Sequence, residues 1–199
     1  MGIKGFQGTS VLDFPGRIAS LVFYGGCNLS CGFCHNPTLI EDFDQYPDMP
    51  VEALLDALQQ RRGFIDGVVI SGGEPTLAPS LSSTLKQIKD LGLAVKLDTN
   101  GLRPDVVAQL MEQNLLDYVA LDVKTSPERC GELHHRPVPL GALTETVELL
   151  LSGEVDYEFR TTCVPGLVED RDIRAMAAML HGGRRWVLQQ FVAEHAMDA

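Results

Sequence analysis

Ile18-Ala19-Ser20-Leu21-Val22-Phe23-Tyr24 runs directly into Gly25-Gly26-Cys27-Asn28-Leu29-Ser30-Cys31-Gly32-Phe33-Cys34. The first part is a short apolar run rich in β-formers and reads as a buried strand. The second is a loop with three cysteines at C-x3-C-x2-C spacing. The same alternation of apolar run and chemically loaded loop recurs along the chain. Further strand candidates fall at 67–71, 93–98, 117–123, 155–162 and 186–191. Between them lie helix-period segments marked by Val51, Leu54, Leu55 and Leu58, by Leu81, Leu85, Ile88 and Leu91, and by Val106, Val107, Leu110 and Met111. Two more helices fit 143–151 and 169–180, while Pro50 and Gly92 supply a start and a stop signal. Repeated βα units predict a parallel sheet with helices outside it. Six strands are too few for an eight-stranded barrel, so the expected fold is an open, partial (β/α)6 barrel in a single domain spanning 1–199.

Parallel-strand enzymes keep their chemistry at the C-terminal strand ends, and the motifs obey that rule. The cysteine loop follows the 18–24 strand and Ser71-Gly72-Gly73-Glu74-Pro75 follows the next. Asp98-Thr99-Asn100-Gly101 closes the third, Leu121-Asp122-Val123-Lys124 closes the fourth, and Arg160 lies within the fifth. Three thiolates can hold three corners of a [4Fe–4S] cube and leave the fourth iron open to an outside ligand, which implies an enzyme. The competing reading is a structural Cys3His zinc site in a binding module, completed by His35 or a distant residue. Cys130 and Cys163 stand alone and read as small buried hydrophobes. The adjacent pair His134 and His135 lacks helical i,i+4 metal spacing and receives no role.

The cysteine spacing, with an aromatic before the last cysteine, resembles the signature of the radical S-adenosylmethionine (radical SAM) enzymes. Gly5-Phe6-Gln7-Gly8-Thr9-Ser10-Val11-Leu12-Asp13-Phe14-Pro15-Gly16 and Cys34-His35-Asn36-Pro37 are similar to one branch. That branch is the activating proteins of anaerobic ribonucleoside-triphosphate reductase, which install a glycyl radical on a partner. The resemblance runs from about residue 3 to the C-terminus, and related sequences often continue further. It implies the partial barrel, a [4Fe–4S] cluster on Cys27, Cys31 and Cys34, and SAM chelated to the open iron. It also implies a flavodoxin- or ferredoxin-type electron donor. An activase for another glycyl-radical enzyme, or a small-molecule radical SAM enzyme, is the alternative within the superfamily. No second cysteine cluster accompanies the first.

The resemblance assigns roles residue by residue. Gly72, Gly73 and Glu74 are implied to receive the methionine amino group of SAM. Asp98, Thr99, Asp122 and Lys124 are implied to contact its ribose and carboxylate, and in some members to help form a monovalent cation site. A carboxylate accepts ribose hydroxyls and a lysine offers positive charge to a carboxylate. Phe33 is implied to pack near adenine, and His35 with Asn36 to hydrogen-bond around the cluster. Arg160 is implied to contact the SAM carboxylate or adenosyl part, with an ion pair to Asp122 or Asp98 as the rival reading.

Composition narrows the classes further. A net charge of −11 argues against a general nucleic-acid binder, since phosphates call for a basic face. The doublets Arg61-Arg62 and Arg184-Arg185 are too short for a binding stripe. No apolar run approaches membrane-spanning length, the opening residues lack a secretory h-region, and Phe6 stands where a myristoylation signal needs Ser or Thr. Five cysteines with three clustered suit a reducing compartment, so a cytoplasmic protein is expected.

Overall fold

The computed structural model describes residues 1–133 and 138–196. His134 and His135 therefore lie outside the described residues. The strands form one seven-stranded sheet in chain order: β1 (Ile3–Ser10), β2 (Ala19–Tyr24), β3 (Gly67–Gly72), β4 (Ala94–Thr99), β5 (Tyr118–Asp122), β6 (Asp156–Cys163) and β7 (Trp186–Gln190). Pairing is parallel from β2 to β7, and β1 adds to β2 antiparallel. The edges β1 and β7 are not hydrogen-bonded to each other, so the barrel stays open. The expected six parallel strands are all present. The antiparallel β1 is an addition, hidden in the sequence because Gly5 and Gly8 and the polar Gln7 dilute its alternation.

Five α-helices among the described residues cross back over one face: α1 (Val51–Gln59), α2 (Leu81–Asp90), α3 (Pro104–Glu112), α4 (Leu140–Ser152) and α5 (Asp170–Met179). Each offers a stripe at i, i+3 or i+4 spacing. Leu54 and Leu58 come from α1, Leu81, Leu85 and Ile88 from α2, Val107 and Leu110 from α3, and Leu143, Val147 and Leu150 from α4. They pack on Val68, Ile70, Val95, Leu97, Val119, Leu121 and Phe159, the outward positions of the strands. Each fully buried side chain of this kind stabilises by about 1.5–3 kcal/mol. This layer is the main core.

The inward positions differ. Near the strand N-termini Ala19, Leu21, Val69 and Tyr118 make a small apolar floor, plugged by Phe14 from the β1–β2 connection. The Phe14 and Tyr118 rings lie 6.0 Å apart, tilted by 55°, a favourable aromatic geometry. Beside the floor the Tyr118 hydroxyl donates to Glu158 at 3.2 Å, and Arg185 approaches the same carboxylate at 3.8 Å. Toward the strand C-termini the inward positions become charged. That gradient from apolar floor to polar mouth leaves room for a site at one end only.

Candidate active site

Above the floor lies a cavity of about 340 Å³, lined by the cysteine loop, the 71–74 turn and the ends of β4, β5 and β6. Each thiol owes its place to backbone. Gly26 N–H donates to Leu39 O at 2.7 Å, folding the loop back on itself, and Cys34 N–H donates to Cys31 O at 2.9 Å. Two peptide donors point at sulfur: Leu29 N–H to Cys27 Sγ and Asn36 N–H to Cys34 Sγ, each at 3.4 Å. Burial pushes the Cys27 thiol up to about 12 and raises Cys31 as well. Burial outweighs the pull of the nearby Lys124 ammonium, and a bound metal would supply the further charge that favours the thiolates.

Gly72 and Gly73 are required by close backbone packing at the cavity wall. A Cβ on Gly72, whose φ is +122°, would sit 2.2 Å from Tyr24 O, and one on Gly73 would sit 2.1 Å from Gly26 O. Gly73 N–H and Glu74 N–H donate to those two carbonyls at 2.8 Å. The turn after β3 is thus stitched to the start of the cysteine loop, an approach open only to residues without side chains.

Glu74 also differs from expectation. Its carboxylate is 1% exposed and accepts from Thr76 N at 3.1 Å, Thr76 Oγ1 at 2.5 Å, Thr99 Oγ1 at 2.8 Å and Asn100 N at 2.7 Å. Burial raises its pKa against the pull of those donors. With both oxygens committed, the side chain ties the 72–76 turn to the end of β4. Thr99 likewise spends its hydroxyl on Glu74 and on Gly101 N.

The charged residues form a chain of ion pairs across three strands. Lys96 pairs with Asp98, Arg160 Nη1 lies 3.4 Å from Asp98, Arg160 Nε donates to Asp122 at 2.9 Å, and Lys124 Nζ donates to Asp122 at 3.3 Å. Arg160 therefore bridges both aspartates, where the sequence left one or the other open. Burial alone would push the Asp122 carboxyl up, but Arg160 and Lys124 outweigh it and hold it at about 2. Burial likewise opposes the Lys124 ammonium, yet Asp122 and the thiols of Cys31 and Cys27 raise it above the ordinary lysine range. Lys124 Nζ also stands 5.8 Å from the Phe33 ring centroid, within cation–π range.

His35 lines the same cavity but has its ring anchored elsewhere. Its Nε2 donates to Val192 O at 3.1 Å and its ring stacks on Phe191 at 6.2 Å, tying the cysteine loop to the segment after β7. Among the described residues no trio of His, Cys, Asp or Glu converges closely enough to hold a single metal ion. The donor set of three separated thiols, two amide donors on sulfur and a facing ammonium fits a cluster better than a Cys3His zinc ion. Cys130 is buried as expected, whereas Cys163 is only half-buried at the end of β6. Lys96, Asn28, Asn100 and Asp13 also belong to the site or its support, and none was singled out from sequence. For Lys96 the signal was present: it is a lysine in an apolar strand, two residues before Asp98 and so on the same face.

Comparison with known proteins agrees with this geometry. The Radical SAM superfamily profile matches residues 21–180. The chain is 31% identical over 201 aligned positions to a protein of Methanocaldococcus jannaschii assigned as a glycyl-radical enzyme activating enzyme, covering 98% of this chain and 82% of the other. It is 32% identical over 127 positions to the pyruvate formate-lyase-activating enzyme of Clostridium pasteurianum, covering 61% of this chain and 52% of that one. Its span is thus about half the length of that second relative. A crystal structure of Streptococcus suis SuiB bound to S-adenosylmethionine shares the fold at a TM-score of 0.68 and 16% identity, over 89% of this chain and 44% of the other. The chain belongs to the radical SAM superfamily, the enzymes that use a [4Fe–4S] cluster and S-adenosylmethionine, and the glycyl-radical enzyme activating enzymes are among its relatives.

Proposed function

We propose that this protein activates a glycyl-radical enzyme, and that its partner is an anaerobic ribonucleoside-triphosphate reductase. The observation that carries the reading is a three-cysteine loop at the mouth of a barrel whose edge strands never meet. An open side suits entry of a polypeptide segment, and the near full-length similarity to an assigned activating enzyme supports the same reading. Cys27, Cys31 and Cys34 hold the cluster. Bound there, a reduced cluster would supply the electron for reductive cleavage of SAM, the source of the oxidising equivalent for the partner's glycine.

The protein's own residues bind and orient. Lys124 attracts the SAM carboxylate, and the Gly72–Gly73 backbone receives its amino group. Asp98 and Asp122 accept from the ribose, both aimed by their contacts with Arg160. Phe33 closes the adenine side. No side chain need move a proton, because the cofactor carries the chemistry and the protein positions it. A flavodoxin- or ferredoxin-type protein is the proposed electron donor. Five unpaired cysteines fit a reducing, cytoplasmic setting, and the acidic surface does not favour nucleic acid. No helix among the described residues is long and apolar enough to cross a membrane.

The test is anaerobic mixing of cluster-loaded protein, SAM, a strong reductant and the reductase from the same cell. The expected result is a glycyl-radical EPR doublet on the larger protein, matched by 5′-deoxyadenosine. SAM cleavage with no doublet, but with turnover of another glycyl-radical enzyme or a small molecule, would reassign the partner.

A further inference from the structure

Asn100 occupies the junction of three motifs. Its backbone N–H donates to Glu74 Oε2 at 2.7 Å, and its side-chain Oδ1 accepts from Leu102 N at 3.0 Å. With Oδ1 so committed, the amide orientation is fixed and Nδ2 must face the other way. One Nδ2 hydrogen goes to Asn28 Oδ1 at 2.7 Å, and Nδ2 lies 3.8 Å from Cys27 Sγ. The residue is buried at 7% exposure, so water does not compete for these contacts. Glu74, itself locked by Thr76 and Thr99, anchors the backbone from which the amide reaches the sulfur.

We propose that Asn100 is a positioning residue for the cluster: its carboxamide fixes Cys27 and donates an N–H···S hydrogen bond that raises the cluster's reduction potential. The inference rests on the cluster being held by Cys27, Cys31 and Cys34. One-electron reduction of a [4Fe–4S] cluster from the 2+ to the 1+ state adds negative charge that spreads onto its sulfurs. A donor aimed at a ligand sulfur stabilises the reduced form, and such hydrogen bonds are among the levers that set cluster potentials. Leu29 N–H already points at the same sulfur from the backbone, and Asn100 supplies a donor that mutation can remove. Glu74 acts through Asn100 and through the 72–76 turn, which accounts for a buried carboxylate whose oxygens both face inward.

The experiment uses two variants of the full chain, reconstituted with iron and sulfide without SAM. Asn100→Leu removes the donor at similar volume, and Asn100→Asp keeps the shape and the Oδ1 acceptor but replaces the donor with an oxygen. Circular dichroism and iron content come first, followed by a dithionite titration monitored by EPR of the reduced cluster. We expect the leucine variant to shift the one-electron equilibrium about tenfold toward the oxidised form, a fall in midpoint potential of about 59 mV. The aspartate variant should fall further, because a negative charge replaces a donor. A folded variant that takes up less than half of the wild-type iron also supports the positioning role. Either variant with full iron and the wild-type potential overturns the proposal. Failure of both to fold overturns it too, since Asn100 would then serve the fold rather than the cluster. Failure of the wild type to bind iron would instead sink the cluster assignment itself.

Discussion

The two faces of β4, β5 and β6 carry opposite chemistry on alternate residues. Outward, Val95 and Leu97, Val119 and Leu121, and Tyr157 and Phe159 join the apolar layer under the helices. Inward, Lys96, Asp98, Arg160 and Asp122 form linked ion pairs, and Glu158 faces Arg185 separately. Strand geometry makes this division possible, because successive side chains point to opposite sides. Stability and function can therefore be changed almost independently on the same three strands. Apolar contacts fix the backbone, and that fixed backbone holds a row of charges where flexible loops could not.

The comparison is broken most completely outside the strands. Replacing Cys27, Cys31 or Cys34 with Ala should drop bound iron from about four per chain to near zero, with the circular dichroism spectrum unchanged. Normal iron uptake by any of the three would remove that cysteine from the ligand set.

A crossed pair on β4 and β5 sharpens it. Leu97→Ala should cost about 2–5 kcal/mol of unfolding free energy and leave the SAM affinity of the folded fraction unchanged. Asp122→Asn should weaken SAM binding roughly ten- to hundred-fold, the equivalent of one charged hydrogen bond, while cluster content holds. Wild-type affinity in the Asp122 variant would put the cofactor elsewhere.

Acid titration separates the faces through a smaller effect. Asp122 is held at about 2 in the folded protein and titrates near 3.9 when unfolded. A depressed carboxyl contributes stability that is fully present above the unfolded value and is lost as pH falls through the folded one. Metal-free wild type should thus lose a stabilising contribution between about pH 4 and pH 2, and Asp122→Asn should lack that part of the slope. Identical acid limbs would mean that Arg160 and Lys124 do not hold Asp122 down.

The smallest effect belongs to charge pairs away from both faces. Arg103 meets Asp105 at 2.9 Å on the surface, and solvent screens such pairs. Arg103→Ala should change stability by less than about 1 kcal/mol and leave iron and SAM binding alone. A large loss there would show that surface charge, not strand alternation, governs this protein.

The outward face was the easier one to read from sequence. Repeated β-branched and aromatic runs placed β2 to β7 within a residue or so, and α1 to α3 followed from apolar residues at helical spacing. The strand Ile3–Ser10 escaped because its glycines and Gln7 break the pattern, and its pairing with β2 is a tertiary fact. At the site, Cys27, Cys31, Cys34, Asp122, Lys124 and Arg160 were visible as chemistry in an apolar setting. The inward turn of Glu74 was not, because a glutamate after two glycines looks solvent-facing until Thr76, Thr99 and Asn100 surround it. Asn100 was hidden for the same reason, since its amide partners Cys27 and Asn28 lie far away in the chain, whereas Lys96, two residues before Asp98, was legible and passed over.

The most direct test of the central claim is anaerobic reconstitution followed by quantification of 5′-deoxyadenosine after addition of SAM and dithionite. Wild type should hold about four irons per chain and release 5′-deoxyadenosine, and the Cys27, Cys31 and Cys34 alanine variants should do neither. A folded wild-type protein that retains stoichiometric zinc, refuses iron and leaves SAM intact would contradict the account.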